Sequence, residues 1–194
     1  MANYYGVQTV DVSSYDNFRN AIMGNGYDVD YVAGAQCIDI FKLLNYNLGY
    51  PSPYAKTGTN GYASECWTNQ ESRAWNAGSS YTLITNLSSL KRGDMVIMDG
   101  TTGNPAGHNA LCDADYGDYS GYIPMVGQNQ GGTPFPTGGA ITNVYNWDLS
   151  NFLGAFRLNS WQPTPPTPPS HHTGGAGGGS FKWVLYANKL RNKY

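Results

Sequence analysis

The segment SWQPTPPTPPSHHTGGAGGGS, residues 160–180, sets the outer limit on any fold this chain can adopt. Its prolines favour a stiff polyproline II run and its glycines a flexible one, and neither can contribute to a packed core. One compact domain is therefore expected over 1–158, a Pro/Gly-rich linker over 159–180, and a short basic stub over 181–194, FKWVLYANKLRNKY. The stub is too short to fold alone and reads as a tail or the first strand of a truncated module. Apolar residues make up 40% of the chain, enough for a core, while charged residues are only 12% and Gly, Asn, Ser, Thr and Tyr abound. That mix points to a loop-rich, β-containing domain rather than a helical bundle.

Charge narrows the partners. Residues 1–160 carry seven of the Lys and Arg and all thirteen acids, a net −6, whereas Lys182, Lys189, Arg191 and Lys193 make the last segment +4. A nucleic-acid partner for the main domain is thereby disfavoured. No apolar run approaches membrane-spanning length, so no membrane insertion is expected. The N-terminal MANYYGVQTVDVSS has neither the basic nor the apolar region of a signal peptide. Cys37, Cys66 and Cys112 are an odd set, so at most one disulfide forms and one thiol stays free.

The first half reads helical. Tyr15, Phe18, Ile22 and Met23 follow the cap candidates Ser13 and Ser14, and a second helix is expected over 36–48 with the stripe Cys37, Ile40, Phe41, Leu44 and Leu48. A third is expected over 66–75. From Leu90 onward, MVIM (95–98), HNALC (108–112), YIPMV (122–126), AITNVYNW (140–147) and FLGAFRL (152–158) read as short strands between Gly, Pro and Asn turns. Helices first and an antiparallel sheet after is an α+β layout.

Elimination singles out the chemistry. His171 and His172 lie in the linker, so any imidazole base in a rigid site is His108, at the opening of a strand. Of the thiols, Cys112 reads as strand packing, Cys66 has no assigned role, and Cys37 opens a helix. Unpaired N–H groups and the helix dipole there favour a thiolate, which an adjacent imidazole can activate; the alternative is a small buried hydrophobe. The run Val126-Gly127-Gln128-Asn129-Gln130 leaves a strand and offers side-chain amides, Asn129 among them, that can accept from His108 Nδ1–H. Before Cys37, the residues Asp28, Asp30, Val32, Gly34 and Asp39 fall at positions 1, 3, 5, 7 and 12 of a loop with the rhythm of a calcium-binding EF-hand, though position 5 has no acid and position 6 is Ala33 rather than Gly. Zinc is disfavoured, because the loop offers no His and no Cys except Cys37.

DVDYVAGAQCIDIFKLL (28–44), LKRGDMVIM (90–98), GHNALC (107–112), VGQNQ (126–130) and FLGAFR (152–157) together resemble, in order and spacing, the CHAP family, over roughly residues 10–158. The resemblance implies a papain-like CHAP fold, with N-terminal helices packed on an antiparallel β-sheet. It also implies amidase or endopeptidase activity on bacterial peptidoglycan, as in phage endolysins. Cys37 is then the nucleophile, His108 the base and Asn129 the orienting group, with Gln36 and Gln128 supporting the oxyanion site. The staphylococcal-phage-type endolysins resemble this chain most, and imply Ca²⁺ on Asp28, Asp30, Asp39 and the carbonyls of Val32 and Gly34.

The chain departs from that pattern at Gly127, where close relatives carry a Glu. The orienting group is thus open among Asn129, Gln128 and an aspartate from elsewhere. The implied setting is synthesis in the host bacterial cytoplasm, action on the wall after release, and wall-polymer binding through a C-terminal module. Two other classes compete: a non-catalytic wall-binding module using Tyr50, Tyr54, Tyr62, Trp67 and Trp75, and a calcium-binding structural protein of the virion.

Overall fold

A computed structural model describes residues 4–119, 121–130 and 141–162. β1 (Tyr4–Tyr5) pairs in parallel with β2 (Gly26–Tyr27), and α1 (Tyr15–Ile22) lies between them in sequence. Ser14 caps α1, its hydroxyl accepting from the Asn17 N–H at 3.2 Å, and Tyr15, Phe18 and Ile22 form the buried stripe. α2 (Cys37–Asn47) follows, buried from Cys37 through Asn45. The single helix expected over 66–75 is two, α3 (Glu65–Thr68) and α4 (Gln70–Ala77). Asn69 makes the break: it adopts an extended backbone and its side chain accepts from Ser72 N–H at 2.9 Å, capping the second helix.

Six strands form one sheet: β3 (Tyr81–Ile84), β4 (Met95–Met98), β5 (His108–Cys112), β6 (Ile123–Gly127), β7 (Asn143–Trp147) and β8 (Phe152–Leu158). Their order is β3-β8-β4-β5-β6-β7 and each neighbouring pair is antiparallel. The fold class is therefore α+β. β1, β2 and β3 have no counterpart in the sequence reading: β1 and β2 are two residues long, and β3 is buried only at its two ends.

Strand alternation divides the core. Met95, Ile97, Leu111, Val126 and Phe156 face the helices, joining Phe18, Ile22, Ile40, Phe41 and Leu44. Val96, Met98, Ala110, Cys112, Met125 and Ala155 face the other way, under Leu90 and Leu149. Phe156, fully buried against Phe41 and Trp67, anchors the helix side, and its truncation to Ala removes ~3–5 kcal/mol. Beside it, Gly154 lets the Trp67 indole lie against bare backbone: a β-carbon there meets the ring at 2.1 Å. The Gly-Asp pair before β4 has a structural task. Buried Asp94 accepts from the Arg157 guanidinium of β8 at 2.8 and 2.7 Å.

The chain stays with this unit beyond Leu158. Asn159–Trp161 form a 3₁₀ turn, and the Trp161 ring packs on Tyr15 and Phe18 while its Nε1–H donates to Val12 O at 2.9 Å. A compact unit runs to Pro163. The expected linker from 163 on, the stub 181–194, and His171 and His172 lie outside the described residues. Among the described residues no helix is long and apolar enough to cross a membrane.

Candidate active site

Cys37 is the first residue of α2, and its sulfur is approached by three backbone N–H groups: its own, that of Ile38, and that of Asn109. Asn109 follows His108 on β5, so the helix start and the strand start meet at adjacent residues. The helix start is pinned from both sides. The Asp39 carboxylate reaches back to accept from Gln36 N–H at 2.9 Å and Val29 N–H at 3.0 Å. Gln128, fully buried at the exit of β6, donates from Nε2 to Tyr27 O and to Gln36 O, both at 2.9 Å, and accepts from Tyr27 N–H. It clips β2, the Gln36 backbone and β6 together.

His108 is buried, with its ring stacked on Trp147 at 4.7 Å between centroids. Its Nε2 lies 3.1 Å from Oε1 of Gln130. The roles of that contact follow from the rest of the Gln130 amide. Its Nε2 donates to Met125 O at 2.9 Å and Asn143 O at 3.0 Å, and its Oε1 also accepts from the Trp147 indole at 3.0 Å. With the oxygen thus fixed as acceptor, His108 Nε2 carries the proton and Nδ1 holds the lone pair.

The structure therefore differs from the expected orienting contact in residue and in ring nitrogen. Asn129 lies one residue away, exposed, in a left-handed conformation (φ 52°), and donates to Gln36 Oε1 at 2.8 Å rather than touching His108. The reason is the turn after β6, which directs Gln128 and Gln130 inward and Asn129 outward. Gly127 explains the missing acid: a β-carbon there lies 2.9 Å from Gln130 Oε1 and 2.9 Å from Ala110 Cβ. Gln130 is the residue at this site that the sequence does not single out. The only sequence signal for it is a third amide in a five-residue run. The Gln36 side chain, expected near the oxyanion, donates to Ala33 O at 2.7 Å besides accepting from Asn129.

Burial dominates the ionisation of the pair. It pushes the Cys37 thiol up to about 11, against the N–H groups of Asn109, Ile38 and Cys37 itself, with the Asp39 charge adding to the rise. It pushes His108 down to about 4, partly offset by the bond to Gln130. The resting pair is thus a neutral thiol and a neutral imidazole at neutral pH. Cys66 and Cys112 are also buried and free, and burial raises each to about 12.

Asp28, Asp30 and Asp39 come together ahead of Cys37, each offering an oxygen within 4.8 Å of the others. Asp30 pairs with the Lys42 ammonium of α2 and accepts from Val32 N–H at 3.0 Å. Burial pushes Asp39 up to about 7, opposed chiefly by Lys42. Asp28 Oδ1 is buried with no hydrogen-bond partner among the described residues. Three converging carboxylates, one with an unmatched oxygen, fit a hard cation taking oxygen ligands. Val32 and Gly34 lie on the same loop, Gly34 in a left-handed conformation (φ 72°).

The aromatic residues weighed as a glycan-binding surface mostly pack on the protein itself. Tyr54 stacks edge-on with Tyr46, Tyr50 with Trp75, and Trp67 is buried.

The fold is similar to that of part of a solved endolysin. The crystal structure of wild-type endolysin LysIME-EF1 superposes with a TM-score of 0.57 at 21% identity, over 75% of this chain and 64% of that one. In sequence, the chain is 36% identical over 154 residues to the D-alanyl-L-alanine endopeptidase of Streptococcus phage B30. That match covers 78% of this chain and 31% of the relative, so the chain spans about a third of the length of the curated protein it matches. No family model matches the chain.

Proposed function

We propose that this domain is a CHAP-type peptidoglycan hydrolase that cuts a peptide bond of the bacterial wall through Cys37. The observation that carries the reading is the meeting of the Cys37 sulfur with the start of β5. His108 opens that strand with Nε2 tied to Gln130, and its Nδ1 is the proposed base. In the proposed step the thiol proton passes to His108 Nδ1 and Sγ attacks the carbonyl carbon. The imidazolium returns that proton to the leaving amine, giving a thioester. Water, deprotonated by His108, then releases the carboxylate and restores the thiol. The N–H of Cys37 is the candidate donor to the oxyanion. The relative named as a D-alanyl-L-alanine endopeptidase favours a peptide bond over the muramoyl–alanine amide.

The acidic loop is read as a calcium site formed by Asp28, Asp30 and Asp39, with the carbonyls of Val32 and Gly34. The hard-oxygen donor set and the unmatched Asp28 Oδ1 support it. A bound cation there supplies positive charge beside the first turn of α2. The chain's own residues do the remaining work: Asp39 holds the Gln36 N–H, and Gln128 holds the Gln36 carbonyl. Action on the wall after release from the producing cell, and wall binding through a further C-terminal module, belong to the same reading.

Digestion of purified peptidoglycan, with the new end groups identified by mass spectrometry, tests it. The wild type is expected to release amino ends, and Cys37→Ala to lose at least ~10³-fold of that rate. A wild type that sediments with walls and releases no ends is a binding module instead, and the hydrolase reading fails.

A further inference from the structure

Tyr116 and Tyr119 are 44% and 53% exposed, and neither ring nor hydroxyl has a partner among the described residues. They stand between β5 and β6 and wall a cavity of about 260 Å³. Its floor is apolar: Ile123 and Leu149 are buried in the core on the side of the sheet away from the helices, and Leu87 packs against that core. Asp148 and Ser150 supply a polar edge. Backbone hydrogen bonds fix the walls. Tyr116 N–H donates to Leu90 O at 3.0 Å, Ser150 N–H to Asp148 Oδ1 at 2.9 Å and Phe152 N–H to Leu149 O at 3.0 Å. Asp148 also lines a second cavity of about 170 Å³, whose lining includes His108 and Trp147. One side chain thus borders both the tyrosine cleft and the hollow at His108.

We propose that the cleft walled by Tyr116 and Tyr119 is a saccharide subsite, holding a neutral N-acetylhexosamine ring of the wall glycan while the attached peptide passes Asp148 toward His108. The inference rests on the wall being the substrate of this domain. A pyranose ring presents C–H groups on its faces and hydroxyls round its edge. The phenol rings and the aliphatic floor match the faces, and Asp148, Ser150 and the phenol hydroxyls match the edge. Tyrosine gives such contact area with little side-chain entropy lost. Charge selects among wall components. Asp148 is the one charged residue lining the cleft, and it forms no ion pair among the described residues. An anionic polymer is repelled there. A cationic peptide meets a single carboxylate, one oxygen of which already accepts from Ser150, and leaves the rings and the floor unused.

The test titrates the full chain with the trimer of N-acetylglucosamine, a soluble neutral probe, and follows backbone amide shifts by NMR. The amides of Tyr116, Tyr119, Leu149 and Ser150 are expected to move together with one dissociation constant. Tyr116→Ser and Tyr119→Ser should each weaken binding about 5-fold, and Tyr119→Phe, which keeps the ring, should stay within about 2-fold of wild type. Tyr122 is 58% exposed on the same connection but does not line the cleft, so Tyr122→Ser should also stay within about 2-fold. In digestion of purified peptidoglycan, Tyr119→Ser should raise the half-saturating wall concentration about 5-fold, more than it lowers turnover.

A trimer that leaves these amides unmoved overturns the proposal, and so does a loss in Tyr122→Ser equal to that in Tyr119→Ser. Trilysine moving the same amides where the trimer does not makes the cleft a peptide site and overturns it as well. Should a serine variant fail to fold, the wild-type shifts with the trimer and with trilysine decide alone. A trimer bound in the cleft of a chain that releases no ends from peptidoglycan leaves the saccharide subsite standing and defeats the hydrolase reading alone. Release of ends by a chain whose cleft ignores the trimer does the reverse.

Discussion

At the scale of single residues, Gln130 decides what His108 can do. Two backbone carbonyls fix its amide and the Trp147 indole shares its oxygen, so the imidazole is held in one tautomer. Gln130→Leu is expected to lower turnover at least ~10-fold, more than Asn129→Ala, because only the former releases the ring. Equal effects in a wall-digestion assay would remove Gln130 from the site. In the proposed mechanism the charge state of His108 sets the acid limit. Its folded value near 4 lies below the ordinary 6.5, so the neutral base persists well into acid. The unfolded chain takes up the proton first as pH falls, so this group's contribution to stability is lost between about 6.5 and 4. Gln130→Glu sets a carboxylate on Nε2–H, which raises the imidazole value and moves the acid limb of the pH–rate profile upward. The positions of Cys37 at a helix start and His108 at a strand start were legible from the sequence, and the structure has both there. Gln130 was not, because the choice among three neighbouring amides is made by a left-handed residue, Asn129, whose conformation the sequence does not reveal.

At the scale of elements, the acidic loop and the first turn of α2 form one device. The carboxylate that caps the helix start, Asp39, is also one of the three that converge ahead of Cys37. Calcium is therefore expected to raise the melting temperature, by ~2.7 kcal/mol of stability at a hundred times its dissociation constant. Asp28→Ala should abolish the rise, since it removes the oxygen that has no other partner. Thermal melts with calcium and with chelator check this, and a chelator-insensitive wild type would remove the ion from the reading. The helices and strands β4 to β8 were legible from periodicity and caps. The α3–α4 break was not: Asn69 interrupts an otherwise helical run because its side chain prefers to cap the next one.

At the scale of the whole molecule, the domain edge is set by packing more than by composition. Sequence character changes after Leu158, yet Trp161 returns to cover Tyr15 and Phe18. A chain ending at Gln162 keeps the Trp161 ring and is the reference. One ending at Leu158 should lose ~2 kcal/mol, or about 4–8 °C, with the Trp161 ring. Coincident melting temperatures for the two truncations would show the ring to be dispensable. The sheet order β3-β8-β4-β5-β6-β7 has a consequence for biosynthesis. β8, translated after the other five strands, is inserted between β3 and β4, and it brings the Arg157 that neutralises buried Asp94. A nascent chain still waiting for β8 has two unpaired strand edges and an unmatched carboxylate at its centre. The ribosome therefore holds back the last interior strand until the rest of the domain has emerged, so a chain cut short before β8 cannot close its sheet and is left to aggregation or proteolysis.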